Sequence, residues 1–144
     1  NSWDLNFRGQ IETQMLSSKT RYAAYLVYRF EKYYKHLPPA KGIIKFVNLD
    51  EDRDAERQAT TIQFRPVSRP DGWMELQLGM FYNDLGFDGP VEARLLGPSV
   101  HLFNSLFIEG IEFRPATNAE MESVSKENVK NRRNGIFSKL RISK

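Results

Sequence analysis

Cysteine is absent from all 144 positions, so the chain has no disulfide and no thiolate nucleophile. It carries no Asn-X-Ser/Thr acceptor and no apolar run near the length of a membrane span. Its first residues, Asn1 to Leu5, lack the basic and apolar regions of a secretory leader. These absences together predict a protein kept in the cytosol. The only two histidines, His36 and His101, stand far apart without metal-ligand spacing, so no metal or cofactor is expected. The chain has no Gly-X-Ser-X-Gly elbow, no phosphate-cradling glycine loop and no dinucleotide fingerprint.

Carboxylate pairs are present, Asp84 with Asp88 and Glu109 with Glu112, and such pairs serve as acid and base in glycosidases. Spacing along a chain does not establish the separation that chemistry needs. Loop capping and solvated strand faces account for these residues, and a non-enzyme is expected.

Charge is unevenly spread. The net charge is +3, but residues 117–144 hold seven basic side chains against three acidic ones. The tail is therefore +4 and residues 1–116 are −1. A basic tail on a near-neutral body implies an accessory contact rather than a nucleic-acid-binding domain.

Hydrophobic residues make up 40% of a chain of this length, enough for one domain with a core and too few for two comfortable ones. Their spacing is that of strands. Leu5, Phe7, Gly9 and Ile11 alternate with polar residues up to the turn Ser17-Ser18-Lys19-Thr20. Tyr22, Ala24, Leu26, Tyr28 and Phe30 share one face of the next run, with Ala23, Tyr25 and Val27 opposite. That pattern fits a central strand covered on both sides. A helix of this length competes, but the Tyr, Phe and Val content favours a strand. Gly42 to Asn48 and Thr60 to Pro66 give two more strands, separated by a charged loop or turn from Leu49 to Arg57.

The run from Ser68 to Asn83 holds a turn, a strand and an aromatic exit. Pro70, Asp71 and Gly72 supply turn chemistry, and Arg69 and Asp71 are expected to hold it. Met74, Leu76, Leu78 and Met80 then fall on a dry face, with Trp73, Glu75 and Gln77 on a wet one. Val91, Ala93 and Leu95 alternate with Glu92 and Arg94 as a half-buried strand. Leu106 to Phe113 changes phase, and a bulge at Gly110 would restore its register. Seven or more short antiparallel strands predict an all-β sandwich, jelly-roll-like, over residues 1–116. Residues 117–144 form a basic extension, with a helix start near Asn118 and a turn at Asn134-Gly135.

Several runs carry a family resemblance. Trp3-Asp4-Leu5 precedes Gly9-Gln10-Ile11-Glu12-Thr13, and Thr20-Arg21-Tyr22-Ala23-Ala24-Tyr25-Leu26-Val27-Tyr28 follows. Asp71-Gly72-Trp73-Met74-Glu75 leads through Leu78-Gly79 to Phe81-Tyr82-Asn83, then Leu85-Gly86, Asp88-Gly89, Val91-Glu92 and Arg94-Leu95. Ile108-Glu109-Gly110-Ile111-Glu112-Phe113-Arg114-Pro115 closes the series. In this order, over about residues 3 to 115, the chain resembles the plant phloem lectins, called phloem protein 2 or Nictaba-like lectins. In size it is most similar to the 17 kDa phloem lectins of cucurbits.

The resemblance implies a nucleocytoplasmic β-sandwich lectin of phloem sap. Its expected ligands are N-acetylglucosamine oligomers, glycoproteins and the N-glycan core, and a homodimer is expected. Such a sugar stacks its C–H face on an aromatic ring, while its acetamido group needs a donor and an acceptor. The candidate carbohydrate residues are Trp73, Tyr82, Asn83, Asp84, Phe87, Asp88, Phe103 and Asn104. Trp73 serves equally as a core or interface ring, Phe81 is expected in the core, Trp3 as a pin for the chain start, and Tyr33-Tyr34 as part of a dimer face. Two other functions fit. One is RNA binding or trafficking through the tail, with Lys130, Arg132, Arg133, Lys139 and Arg141 as contacts. The other is a structural protein that keeps the sandwich without a sugar site, as Pro90 and Leu102 allow.

Overall fold

The structure is a computed structural model that describes residues 5–31, 38–64, 69–97, 105–118 and 120, with the backbone of 67–68 and 138–140. Its elements run β1 (Leu5–Glu12), a 3-10 turn (Thr13–Met15), β2 (Thr20–Phe30), β3 (Ala40–Phe46), α1 (Asp52–Arg57) and β4 (Thr60–Ile62), followed by β5 (Val67–Ser68), β6 (Met74–Asn83), β7 (Pro90–Gly97), β8 (Leu106–Pro115) and β9 (Ser138–Leu140). Two antiparallel sheets form a sandwich, one ordered β1-β7-β3-β4 and the other β5-β6-β2-β8-β9. The core lies between them. Leu5, Ile11, Val91, Ala93 and Leu95 from the first sheet meet Tyr22, Leu26, Leu76, Leu78, Phe81, Ile111 and Phe113 from the second.

The expected all-β sandwich is what forms, and β2 is the central strand of its sheet, with Tyr22 through Tyr28 buried without a break. The helical alternative for this run fails because its apolar residues fill both faces of a strand. Tyr22, Ala24, Leu26 and Tyr28 enter the main core, while Ala23 and Tyr25 pack on the opposite side with Met80 and Ala116.

Several local expectations are corrected. Leu49 to Arg57 is not wholly loop, because Asp52–Arg57 is a helix. Acidic Asp52 and Asp54 in its first turn and Arg57 in its last suit the helix dipole. Ala55 is its one buried residue and packs on Ile43 and Leu96, outside the four-stranded sheet. One apolar side chain in six leaves no periodicity to read.

Glu92 and Arg94 are buried rather than wet. Arg8 lies over Glu92 at 3.7 Å, Gln10 donates to it at 3.3 Å, and Glu56 of α1 reaches Arg94 at 3.8 Å. Glu112, expected on a solvated face, is also buried, accepting from Arg69 at 3.1 Å and from Arg114 at 3.1 Å.

On β6 the alternation fails at Leu78. Gln77 pairs with Tyr25 and Gly79 with Ala24, leaving Leu78 as an extra residue. This bulge sends Met80 to the outer face and Phe81 into the core. In β8 the extra residue is Glu109, next to the expected Gly110, since Gly110 pairs with Val27 and Ile108 with Tyr28.

Beyond β8, Thr117 and Glu120 exchange hydrogen bonds as a capping box, in keeping with a helix start at Asn118. Ser138–Leu140 then adds an edge strand to β8, with Lys139 opposite Glu112.

Candidate functional site

One end of the sandwich gathers the turn after β1, the start of β2, the turn after β3 and the β6–β7 loop. Four rings underlie it. Phe81 stacks with Tyr22 at 5.9 Å and meets Phe46 and Phe113 edge-on at 5.9 and 6.1 Å. Phe81 takes this place because the β6 bulge turns it inward.

Polar bonds fix the loop above. Asn83 is fully buried and its amide donates to the carbonyls of Thr13, at 3.3 Å, and Ser17, at 2.9 Å. The Thr13 amide and hydroxyl both donate to the Gly89 carbonyl, at 3.2 and 2.8 Å. Gly86 and Gly89 lie at φ +83° and +78°, where a side chain is strained. A Cβ on Gly86 would sit 3.2 Å from the Thr13 carbonyl oxygen, so the loop lies flush on the 3-10 turn. Lys19, itself at φ 54°, bonds Asp84 through both its backbone and its ammonium. That bond raises the Lys19 pKa above 10.5.

This frame presents Phe87 to solvent with 85% of its surface exposed; Leu85 in the same loop and Met15 in the 3-10 turn are exposed as well. Tyr82, 39% exposed, is the penultimate residue of β6, with the Arg21 guanidinium 5.8 Å from its ring. Asp88 is half-buried, and Asn48 places its amide beside Gly89.

The structure thus brings Tyr82, Asn83, Asp84, Phe87 and Asp88 to one end. Asn83 shapes the loop from below instead of facing solvent, and Asp84 is already engaged with Lys19. Trp73 is elsewhere. It precedes β6 and Asn83 ends it, so the two lie about 33 Å apart at strand rise. The turn before Trp73 is as expected: the Asp71 carboxylate accepts the Trp73 N–H at 3.1 Å, and the Gly72 N–H donates to the Arg69 carbonyl at 3.0 Å.

Trp3, Tyr33, Tyr34, His36, His101, Leu102, Phe103, Asn104, Lys130, Arg132, Arg133, Asn134, Gly135 and Arg141 lie outside the described residues, as does the Lys139 side chain. Sequence reasoning missed Asn48, Met15 and Leu85. Asn48 follows a strand in a turn of amide and charged residues, the one local signal that would have found it.

A second concavity, a groove of about 710 Å3, opens between the edges of β4 and β6. Gln58, Thr60, Thr61, Gln63 and Gln77 give it amides and hydroxyls, and Arg21 joins it to the Tyr82 end.

Residues 1–115 match the sequence profile of the family described as Phloem protein 2. The chain belongs to the phloem protein 2 family. Relatives from Arabidopsis thaliana include F-box protein PP2-B10, 34% identical over 76% of this chain and 44% of its own length. F-box protein VBF is 34% identical over 78% of this chain and 52% of its own, and F-box protein PP2-B5 32% identical over 76% and 39%. The chain therefore spans about half the length of these relatives or less. Membership relates it to the phloem lectins, and no helix among the described residues is long and apolar enough to cross a membrane.

Proposed function

We propose that this phloem protein 2 domain is a non-catalytic lectin for N-acetylglucosamine oligomers, with the β6–β7 loop end as its site. The observation that carries the reading is Phe87, a large apolar ring at 85% exposure on a loop tied down by Asn83, Thr13 and Lys19. Exposing a ring on a rigid frame costs solvation free energy that a stacked sugar face recovers. Tyr82 offers a second ring, and Asp88 and Asn48 supply an acceptor and an amide for the acetamido group. Shallow sites of this kind bind weakly, and a homodimer presenting two of them would raise avidity.

Isothermal titration with chitotriose tests the reading. Saturable heat is expected for the wild type, and Phe87→Ala should weaken binding about tenfold, the equivalent of about 1.4 kcal/mol. No saturable heat in the wild type, or equal affinity in the variant, refutes it.

A further inference from the structure

The outer face of the five-stranded sheet carries a second arrangement at the end away from Phe87. Arg29 on β2 pairs across the ladder with Phe107 on β8. On the other side, Tyr28 pairs with Met74, which places Trp73 beside Arg29. The guanidinium carbon lies 4.8 Å from the Trp73 ring centre and 5.8 Å from that of Phe107, so the cation is held between two aromatic rings.

What sets Arg29 apart is its polar side. Arg69 and Arg114 share this face and spend their donors on Asp71, Glu75 and Glu112. The Arg29 side chain is exposed and makes no hydrogen bond or ion pair with the described residues. Among the described residues nothing takes up its five N–H donors, while its rotamers are restricted by the rings, so less entropy is lost when an acceptor arrives.

We propose that Arg29, with Trp73 and Phe107, forms a receptor for the carboxylate of an acidic sugar, a uronate. A carboxylate accepts two parallel bonds from the guanidinium fork, and Phe107, 47% exposed, leaves ring surface for the C–H face of the same sugar. A polyanion such as RNA is disfavoured, because exposed Glu31 follows two residues after Arg29 and would repel a run of phosphates. One carboxylate on an otherwise neutral sugar meets one open cation. This site is independent of the chitooligosaccharide reading.

The full chain with Trp3→Phe leaves Trp73 as the sole tryptophan reporter. Its emission is followed during titration with methyl glucuronide, with methyl glucoside as the neutral twin, acetate as the carboxylate without a ring, and a short oligouridylate, all at matched ionic strength. Methyl glucuronide should perturb Trp73 saturably and bind at least about tenfold tighter than the glucoside or acetate. Arg29→Gln should remove that preference, Arg29→Lys should keep only part of it, and both should bind chitotriose as the wild type does. Equal titration by the glucoside or acetate, tighter binding of the oligouridylate, or an unchanged preference in Arg29→Gln overturns the assignment. Loss of chitotriose binding in Arg29→Gln overturns its independence from the Phe87 end.

Discussion

Asn83 joins the fold to the candidate site, and its removal has a calculable effect. Asn83→Ala deletes two hydrogen bonds, to the carbonyls of Thr13 and Ser17, at a net cost of about 1 kcal/mol each. The Thr13 carbonyl keeps the Leu16 N–H at 3.1 Å, so it is not stranded. Two terms oppose each other: the lost volume at a fully buried position adds about 1–2 kcal/mol, and removing an amide oxygen that has no partner returns about 1 kcal/mol. The expected destabilisation is about 2–3 kcal/mol, measured by urea denaturation with an unchanged slope. Because the same bonds tie the 3-10 turn to the loop, amide exchange at Leu85 to Gly89 should rise more than the global change requires. A loss below about 0.5 kcal/mol, within the range of an ordinary surface substitution, would refute the view that Asn83 pins this end.

Two further predictions concern the scaffold. Gly42→Ala places a Cβ onto the Leu78 carbonyl oxygen of the facing sheet and 2.5 Å from Ile62 Cδ1, so it should cost about 3 kcal/mol or more in urea denaturation. Near-neutrality would mean that the sheets separate freely there. The Lys45 ammonium bonds Asp52 and holds its carboxyl below 3.8, so that pair's contribution is present above this value and is lost as pH falls through the lower folded value. A pH titration of the Asp52 carboxyl by NMR should return to about the ordinary aspartate value in Lys45→Met, and an unchanged midpoint would show that the bond does not persist in solution.

The strands and their dry faces were legible because the pattern is local. A residue's side of a strand follows from its neighbours two positions away, as Leu5 to Ile11 and Tyr22 to Tyr28 show. The β8 bulge was legible for the same reason, as a phase change beside a glycine. The β6 bulge was not, because Met74 to Met80 alternates without a break and only pairing with β2 expels Leu78 from the register. Helix α1 has one buried residue, Ala55, too little to mark a period. Burial of Glu92, Arg94 and Glu112 depended on partners distant in sequence, Arg8, Glu56 and Arg69.

The amino-acid sequence by itself determined the family, the two-sheet class and the stretch where the exposed loop falls. All three rest on residue order and on alternation within single strands. Tertiary structure alone decided that Trp73 and Phe87 lie at opposite ends, that Asn83 faces inward, and that Arg29 lies between Trp73 and Phe107. Each of these depends on which strands pair and in what register, and that is set by burying both sheets' apolar faces together.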